Sequence, residues 1–413
     1  MSTATCGTVL RARHLLPGGG RPLENVCLRI HRGRIAAIGP GKPGRHALDL
    51  GDVVVLPGLV NAHTHLEFSS LLEPLATAGG LPDWIRRLIA WRRSRDAAGE
   101  AATATIRAGL DESARCGVTA IGEIATDTMP AGVGGRGPRL RIFREALGLS
   151  ATALEATCHG LARDLDRLAA RGIAAGISPH APYSVAAPLA AWLGREIARR
   201  RLPVAMHLAE SLEERELLAA GTGPFRRLLE DLGAWNPAAP PQLLSATDWI
   251  GRLARAARGI VVHGTHLPDD PDALARLARH RDRLCVAICP RTTQALSGRL
   301  PPVAAFRAAG LRVAIGTDGR GSNPDLSVLA ECRTLVDAGL ARPAEAIAMA
   351  TVHGAWALGF ERVAGILAPG RPADLVVLRP SQAHADPYAA VLDPATRVVA
   401  TLRAGHVIAG RLD

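Results

Sequence analysis

Residues 53–70 read VVVLPGLVNAHTHLEFSS, in which an apolar run closes with Pro-Gly and the next short run ends in two histidines. Side chains at positions i and i+2 of a strand point to the same side, so His63 and His65 can aim two imidazoles at one point. A lone His-x-His pair is weak evidence, because such pairs are also common among packing and surface residues. The stretch therefore leaves two interpretations open, a metal site or a coincidence.

The composition narrows the class of protein. A chain of 413 residues predicts two domains, or one large domain with a satellite. Its seven cysteines are scattered and include no C-x-x-C pair, which argues against a disulfide framework or a zinc knuckle. No apolar run is long enough to span a bilayer and the N-terminus lacks the features of a secretory signal, so we predict a cytoplasmic protein without a membrane partner.

The formal charge of +11 does not by itself indicate nucleic-acid binding. Lys42 is the only lysine, so 48 of the 49 basic residues are arginine, and they are spread along the chain instead of forming one stripe. Aromatic residues for base stacking are scarce. We therefore predict no nucleic-acid partner.

Short apolar runs alternate with helical patterns from residue 58 to residue 364. The runs occupy residues 59–65, 117–124, 139–148, 172–180, 202–210, 259–265, 283–290 and 311–318. Eight buried strands alternating with helices predict a (β/α)8 barrel of the TIM type in the α/β class. The flanks, 1–57 and 365–413, contain short alternating segments, and we expect them to join into one small composite β-sandwich domain beside the barrel domain, 58–364.

Polar residues interrupt these runs mainly at their carboxyl-terminal ends, which converge on one mouth of a barrel. They are His63, His65, His180, His207, His263 and Asp318. Such clustering is not expected of structural residues, which would be scattered over both ends of the strands.

Three imidazoles and a carboxylate form a ligand set suited to zinc, with ferrous iron as the alternative. We predict that His63, His65, His207 and Asp318 bind one divalent ion and leave a position for water. Such an ion lowers the pKa of bound water to about 7, and Asp318 is placed to accept the proton.

Two further residues at the mouth suggest proton transfer. Glu210, in HLAES, is predicted to be a proton shuttle, although a first-turn helix carboxylate is the plainer interpretation because Ser211 and Glu214 resemble a capping box. His263 is predicted to hydrogen-bond the attacking water or the oxyanion, and a satisfied core histidine is its alternative.

The ordered motifs LPGLVNAHTHLE, HLAES, VVHGTH, GTDGRGSN and GILAPGRPADLVVL resemble the amidohydrolase superfamily, in its cytosine-deaminase-like and adenosine-type aminohydrolase branch. The resemblance covers essentially the whole chain. Many members outside this branch bridge two metals with a carboxylated lysine on the fourth strand. Lys42 lies outside the predicted barrel, so the resemblance implies a single metal ion here.

The segments NAHTHLEFS, ISPHAPYSV and TDGRGSNPDLSVLAE resemble aminodeoxyfutalosine deaminases of the alternative menaquinone pathway. This resemblance implies a hydrolase that converts a 6-aminopurine nucleoside to its inosine form with release of ammonia, and it places His180 against the substrate. The alternatives are deamination of S-adenosylhomocysteine, methylthioadenosine or adenosine, a triazine-type chlorohydrolase, and a catalytically silent barrel that serves in binding or assembly.

Three more residues are candidate substrate contacts, each with a plainer alternative. Glu67 is predicted to bind ribose hydroxyls or an exocyclic group, or else to fix a loop. Trp84 is predicted to cover the base, or else to pack with Leu88 at helical spacing. Arg291 is the candidate partner of a substrate carboxylate. The expected partner is a small nucleoside, and a homo-oligomer is left open.

Overall fold

The structure, a computed structural model, describes residues 8–40, 47–94, 100–130, 133, 135–150, 152–382 and 384–412. Lys42, on which the single-metal argument depends, lies outside these described residues. Among the helices that are described, none combines the length and the apolar character needed to cross a lipid bilayer.

The strands of the described chain fall into two sheets. The amino-terminal strands are β1 (Thr8–Leu15), β2 (Leu23–His31), β3 (Arg34–Pro40), β4 (Ala47–Asp49) and β5 (Val54–Pro57). The central strands are β6 (Leu59–Thr64), β7 (Val118–Ala125), β8 (Arg139–Ala146), β9 (Ala174–Pro179), β10 (Val204–Leu208), β11 (Gly259–His263), β12 (Leu284–Ile288) and β13 (Val313–Ile315). The carboxyl-terminal strands are β14 (Leu375–Arg379), β15 (Arg397–Arg403) and β16 (His406–Gly410).

Helices follow most of the central strands. They are α1 (Gly80–Arg93), α2 (Glu100–Arg115), α3 (Leu154–Ala170), α4 (Ala187–Arg200), α5 (Leu212–Ala220), α6 (Gly223–Asp231), α7 (Ala246–Leu253), α8 (Pro271–Arg279), α9 (Pro290–Ser297), α10 (Val303–Ala308), α11 (Val328–Asp337), α12 (Pro343–Ala348), α13 (Gly354–Ala357) and α14 (Pro387–Leu392). Short 3-10 turns lie at Leu66–Phe68, Pro182–Ser184 and Leu267–Asp269, and a π turn lies at Met349–His353.

The central strands pair in parallel in the order β6 to β13, and the two edges meet to form a barrel. The carbonyl oxygen of His63 accepts hydrogen bonds from the amides of Thr317 (3.0 Å) and Asp318 (3.1 Å), and Thr64 bridges Asp318 in parallel. Each of the eight predicted runs overlaps one of these strands, so the prediction of a (β/α)8 barrel is confirmed. The barrel closes through residues of the predicted site, which couples the geometry of that site to the fold.

The interior of the barrel is filled by apolar side chains below the mouth. Small residues such as Ala62, Ala205 and Ala314 pack with Phe143, while Leu358 covers this core as part of the same cluster. Small side chains are needed here because strands from all sides of the barrel project into a narrow space. The core supports the polar residues at the mouth from beneath.

Strands from both ends of the chain form the second sheet, in the order β16-β15-β14-β5-β1-β2-β3, with β4 beside β1. The strand β14 pairs antiparallel with β5, whereas β1 pairs parallel with β5. The predicted composite β unit is therefore present as a mixed sheet. Its strand β5 leads directly into β6 through Gly58, whose amide donates to the Asp374 carbonyl oxygen at 3.0 Å.

Candidate active site

Four of the predicted ligands lie together at the carboxyl end of the barrel. The Nε2 atom of His65 is 3.3 Å from His207 Nε2. The Oδ1 atom of Asp318 is 3.4 Å from His63 Nε2 and 3.5 Å from His65 Nε2. Ligand atoms at about 2.1 Å from a tetrahedral ion lie about 3.4 Å from one another, so these separations match the edges of a metal coordination shell.

The hydrogen-bond inventory of the histidines also fits a cation. Both ring nitrogens of His63 are buried without a hydrogen-bond partner among the described residues, and so is Nδ1 of His65. An unpaired buried polar atom costs about 1–3 kcal/mol, and a cation would remove that cost at His63 Nε2. The residues present therefore fit a divalent metal ion.

The ring of His207 is oriented by the backbone. Its Nδ1 lies 2.9 Å from the carbonyl oxygen of His180, which accepts the Nδ1 proton and leaves Nε2 unprotonated toward the other ligands. A second hydrogen bond of this kind commonly fixes the tautomer of a metal-binding histidine. Burial is the main cause that lowers the pKa of His207 far below its ordinary value, which favours the neutral, ligating form.

Three strand ends at this mouth depart from regular strand geometry. The pairing of β6 with β7 changes register between Asn61 and Thr64, at the histidine pair. His263 and Asp318 have φ angles of 63° and 55°, in the left-handed region that non-glycine residues rarely occupy. Such strain is typical of functional positions, because it re-aims side chains that a regular strand would direct elsewhere.

Asp318 is held from the side opposite the histidines. Its Oδ2 accepts a hydrogen bond from the Ser322 hydroxyl, which is itself 3.0 Å from the Thr292 hydroxyl. Burial alone would raise the pKa of Asp318, but the neighbouring imidazoles of His63, His65 and His263 keep that pKa below its usual range. The side chain therefore stays ionised, as a metal ligand would need to be.

Glu210 lies next to this group but outside it. Its Oε1 is 3.4 Å from Nε2 of His263, and burial raises the pKa of Glu210, as do the charges of Asp318 and Glu214. A carboxyl group whose pKa is raised in this way is suited to act as an acid. The backbone amide of Glu210 donates to Glu214 Oε2 at 3.1 Å, and the Ala209 amide donates to Glu214 Oε1 at 2.9 Å.

The expected capping box at this helix forms only in part. Ser211 caps α5 by accepting from the Glu214 amide at 3.2 Å. The Glu214 side chain, however, bonds to the amides of Ala209 and Glu210, so it braces the strand-to-helix turn. Glu210 itself precedes the helix, which makes the plainer interpretation of a first-turn helix carboxylate incorrect.

His180 faces the same space from β9. Its Nδ1 is 2.6 Å from the Ser184 hydroxyl, and burial followed by the charge of Arg92 lowers the pKa of His180 to about 3. The ring is therefore neutral. It also lies 5.1 Å from the His207 ring, centroid to centroid. His180 is thus within reach of whatever the ligand group holds.

The other predicted substrate contacts have internal partners. Glu67 accepts hydrogen bonds from Arg92 and Thr126, in agreement with its loop-fixing alternative. The indole nitrogen of Trp84 donates to the Gly321 carbonyl oxygen at 3.0 Å, and its ring is buried in an apolar cluster. Each side chain therefore supports the mouth of the barrel.

Arg291 has two internal partners. Its guanidinium pairs with Asp325 at 2.6 Å and with Glu331 at 2.8 Å, and Glu331 is fully buried. Two carboxylates thus balance its charge inside the protein. Sequence alone did not reveal these partners on the following loop and helix, and the pairing of Arg291 with a substrate carboxylate stays a prediction.

Glu145 is a further residue at this mouth that was not predicted from the sequence. This residue, at the end of β8, is 6% exposed, and its Oε1 has no hydrogen-bond partner among the described residues. It offers an oxygen within 4.8 Å of ligand atoms of His180 and His207. The sequence feature that could have identified Glu145 is its position near the end of the run RLRIFREALG, at the same end of the barrel as the histidines.

A (β/α)8 barrel with this donor set and a neighbouring buried acid defines a metal-dependent hydrolase of the barrel class. Residues 54–408 match the model of the Amidohydrolase family. The chain belongs to that family, which is metal-dependent, and it is a hydrolase that acts on carbon–nitrogen bonds.

Similar proteins agree with this assignment. The chain is 28% identical over 391 residues to the 5-methylthioadenosine/S-adenosylhomocysteine deaminase of Moorella thermoacetica, covering 90% of this chain and 86% of the relative. The structure superposes on Helicobacter pylori aminofutalosine deaminase with a TM-score of 0.83 at 23% identity, covering 97% and 100% of the two chains. An adenosine deaminase of Xanthomonas campestris with bound zinc gives a TM-score of 0.76 at 25% identity, covering 98% and 93%.

Proposed function

We propose that this protein removes the 6-amino group of a purine nucleoside by hydrolysis. The observation that carries the proposal is the buried acid Glu210, 3.4 Å from His263 and beside a group of four ligands with metal-shell spacing. The names of the relatives, which are deaminases of adenosine-type nucleosides, support the same substrate class.

We propose zinc as the resident ion, held by His63, His65, His207 and Asp318, in keeping with the imidazole-rich donor set. The chemistry that such an ion supplies is a lowered pKa for water, which makes hydroxide available near neutral pH. All remaining steps are assigned to side chains of this chain.

The proposed reaction forms a bond from water oxygen to C6 and breaks the bond from C6 to the amino nitrogen. Asp318 accepts the water proton, and Glu210 donates its proton to ring nitrogen N1. His263, which faces Glu210, hydrogen-bonds the oxygen that adds to C6. The proton held by Asp318 then passes to the amino group, and the bond from C6 to nitrogen breaks to release ammonia. The C6 hydroxyl gives its proton to the Glu210 carboxylate, so the 6-oxopurine remains and both carboxyl groups return to their starting states.

Aromatic residues near the site indicate what kind of 5′ substituent the substrate carries. Phe68 lies 5.6 Å from the His65 ring, Tyr183 lies 5.6 Å from the His180 ring, and Phe225 stacks on Tyr183 at 4.1 Å. These rings belong to a buried apolar cluster beside the site, which favours a 5′ substituent with an aryl ring or a methylthio group over the zwitterionic homocysteine group. We propose aminodeoxyfutalosine as the first substrate to test, with methylthioadenosine as the alternative.

The test is ammonia release by the zinc-loaded protein with aminodeoxyfutalosine, methylthioadenosine, S-adenosylhomocysteine and adenosine. A substrate with an apolar 5′ group is expected to exceed adenosine in kcat/KM by about 10- to 100-fold, the range that a hydrophobic group contributes to discrimination. The variant Glu210→Gln is expected to bind metal and lose turnover. Absence of ammonia from all four nucleosides would refute the proposal, and chloride release from a chlorotriazine would support the chlorohydrolase alternative.

A further inference from the structure

Glu145 is a buried carboxyl group beside the ligand group to which the proposed reaction gives no task. It lies on β8 directly opposite Ser178 of β9, one residue before Ala146, whose carbonyl oxygen accepts from the His180 amide at 3.1 Å. Glu145 and His180 therefore stand side by side on neighbouring strands at the same height of the barrel.

The carboxyl group of Glu145 lacks the partners that the other buried acids have. Glu123 accepts hydrogen bonds from the Leu66 amide at 3.0 and 3.1 Å, and Glu214 accepts from two amides. The Oε1 atom of Glu145 is buried and has no partner among the described residues. Since leaving such an atom unpaired is costly, a ligand that supplies a hydrogen-bond donor is the natural complement.

The donors of a 6-aminopurine nucleoside are few. The ring nitrogens N1, N3 and N7 are acceptors, so the molecule donates only through its 6-amino group and its sugar hydroxyls. The amino group must face the metal ligands and Glu210 if the proposed reaction is to occur. A partner for Glu145 is therefore to be found on the sugar.

The order of groups around the barrel matches the order along the nucleoside. Glu210 and His180 follow β10 and β9, and Glu145 lies near the end of β8. These are neighbouring strands about 4.8 Å apart. The edge of an adenine nucleoside presents N1, then N3, then the 2′-hydroxyl. With N1 at Glu210, N3 falls at His180 and the 2′-hydroxyl falls at Glu145.

We propose that Glu145 binds the substrate by accepting a hydrogen bond from the ribose 2′-hydroxyl, and so selects ribonucleosides over 2′-deoxyribonucleosides. The inference rests on the proposed function, because it needs a nucleoside with N1 at Glu210. His180 completes the arrangement: its Nδ1 lies 2.6 Å from the Ser184 hydroxyl, and we assign its ring proton to Nε2, which donates to N3.

The test compares kcat/KM for four combinations. Wild type and Glu145→Ala are each assayed with 5′-methylthioadenosine and with its 2′-deoxy analogue. Wild type is expected to lose about 10- to 100-fold in kcat/KM when the 2′-hydroxyl is removed. Glu145→Ala is expected to show a similar loss on the ribonucleoside, yet to differ from wild type by less than about threefold on the 2′-deoxy analogue.

Controls separate this inference from folding and from the proposed function. Glu145→Gln is isosteric and carries the same test if the alanine variant does not fold, with a smaller loss confined to the ribonucleoside. Glu155→Gln, on the exposed face of α3, is a matched change that should leave both rates unaltered. With the 3′-deoxy analogue, which keeps the 2′-hydroxyl, the Glu145 substitutions should lower kcat/KM by the same factor as with the ribonucleoside.

An equal loss on the ribonucleoside and the 2′-deoxy analogue would overturn the assignment, because Glu145 would then act on the base or on the fold. A wild-type protein that deaminates several nucleosides with no preference for the 2′-hydroxyl would overturn it as well. If wild type deaminates no nucleoside at all, the proposed function fails first, and the assignment of Glu145 falls with it.

Discussion

Replacing Glu214 by alanine tests how the proposed acid is held in place. The two carboxylate oxygens of Glu214 accept the amides of Ala209 and Glu210, at 2.9 and 3.1 Å. Ala209 has a φ angle of 52°, so this turn adopts a backbone conformation that alanine rarely takes. The carboxylate therefore stabilises the strained turn that carries Glu210 to the site.

The magnitude follows from the two amides that lose their acceptor. The Ala209 amide is buried and the Glu210 amide is partly buried, and an unsatisfied buried donor costs about 1–3 kcal/mol. We expect Glu214→Ala to lower the free energy of unfolding by about 2–5 kcal/mol. Because a small misplacement of a reacting group costs up to about 100-fold in rate, kcat should fall by about 10- to 100-fold with the metal retained.

The raised pKa of Glu214 predicts the direction in which the free energy of unfolding changes with pH. Burial raises the pKa of Glu214 to about 7, although its two backbone hydrogen bonds lower it, and the unfolded value is near 4.5. The folded protein then binds the extra proton between these values, so this contribution to stability is complete below about pH 4.5 and is lost as the pH rises through about 7. Glu214→Gln removes the titration, and the stability difference between wild type and this variant should shrink by up to about 3 kcal/mol from pH 5 to pH 8.

The assays are urea unfolding at several pH values, metal analysis, and steady-state deamination. Glu213→Ala, in the same helical turn, is the control and should leave kcat within about twofold of wild type, as expected for a change away from the site. The reasoning would be refuted if Glu214→Ala had the kcat of wild type. It would also be refuted if wild type and Glu214→Gln had parallel stability profiles across pH.

Two further substitutions test the supports of the site. Ser322→Ala removes the hydroxyl that donates to Asp318, and we expect metal affinity, measured by chelator competition, to fall by about 10- to 100-fold, whereas unchanged affinity would contradict this support. Arg291→Met leaves the fully buried Glu331 without its ion pair, and urea unfolding should show a loss of about 3–5 kcal/mol. A small change in stability, together with a lower kcat/KM for anionic substrates only, would instead indicate that Arg291 contacts the substrate.

The barrel could be predicted because each of its strands has a recognisable pattern within a short stretch of sequence. Each apolar run is short and bounded by turn residues, and polar residues such as His207 and Asp318 follow the buried positions directly. Parallel strands in a barrel bring such ends to one mouth, so the grouping of these side chains could be expected before any coordinates. Strand alternation likewise predicted that His63 and His65 share one side, although β6 ends at Thr64.

The remaining contacts depend on distances that no local pattern encodes. The carboxylates that pair with Arg291 come from residues 34 and 40 positions further along the chain. Glu145 was missed because its run predicts only a buried strand, and the direction of its side chain becomes known only with the register against β9. The hydrogen bonds from the Ala209 and Glu210 amides to Glu214 were not predicted, because Ser211 and Glu214 fit a capping box. In a capping box Glu214 would accept from the Ser211 amide.

The most direct measurement is the metal content of the ligand variants His207→Asn and Asp318→Asn beside wild type and Glu210→Gln. We predict one tightly bound divalent ion per chain in wild type and in Glu210→Gln, and loss of that ion in both ligand variants. Removal of the ion by a chelator should abolish ammonia release, and readdition should restore it. Ligand variants that kept a full equivalent of metal would show that these side chains do not share an ion, and would contradict the account.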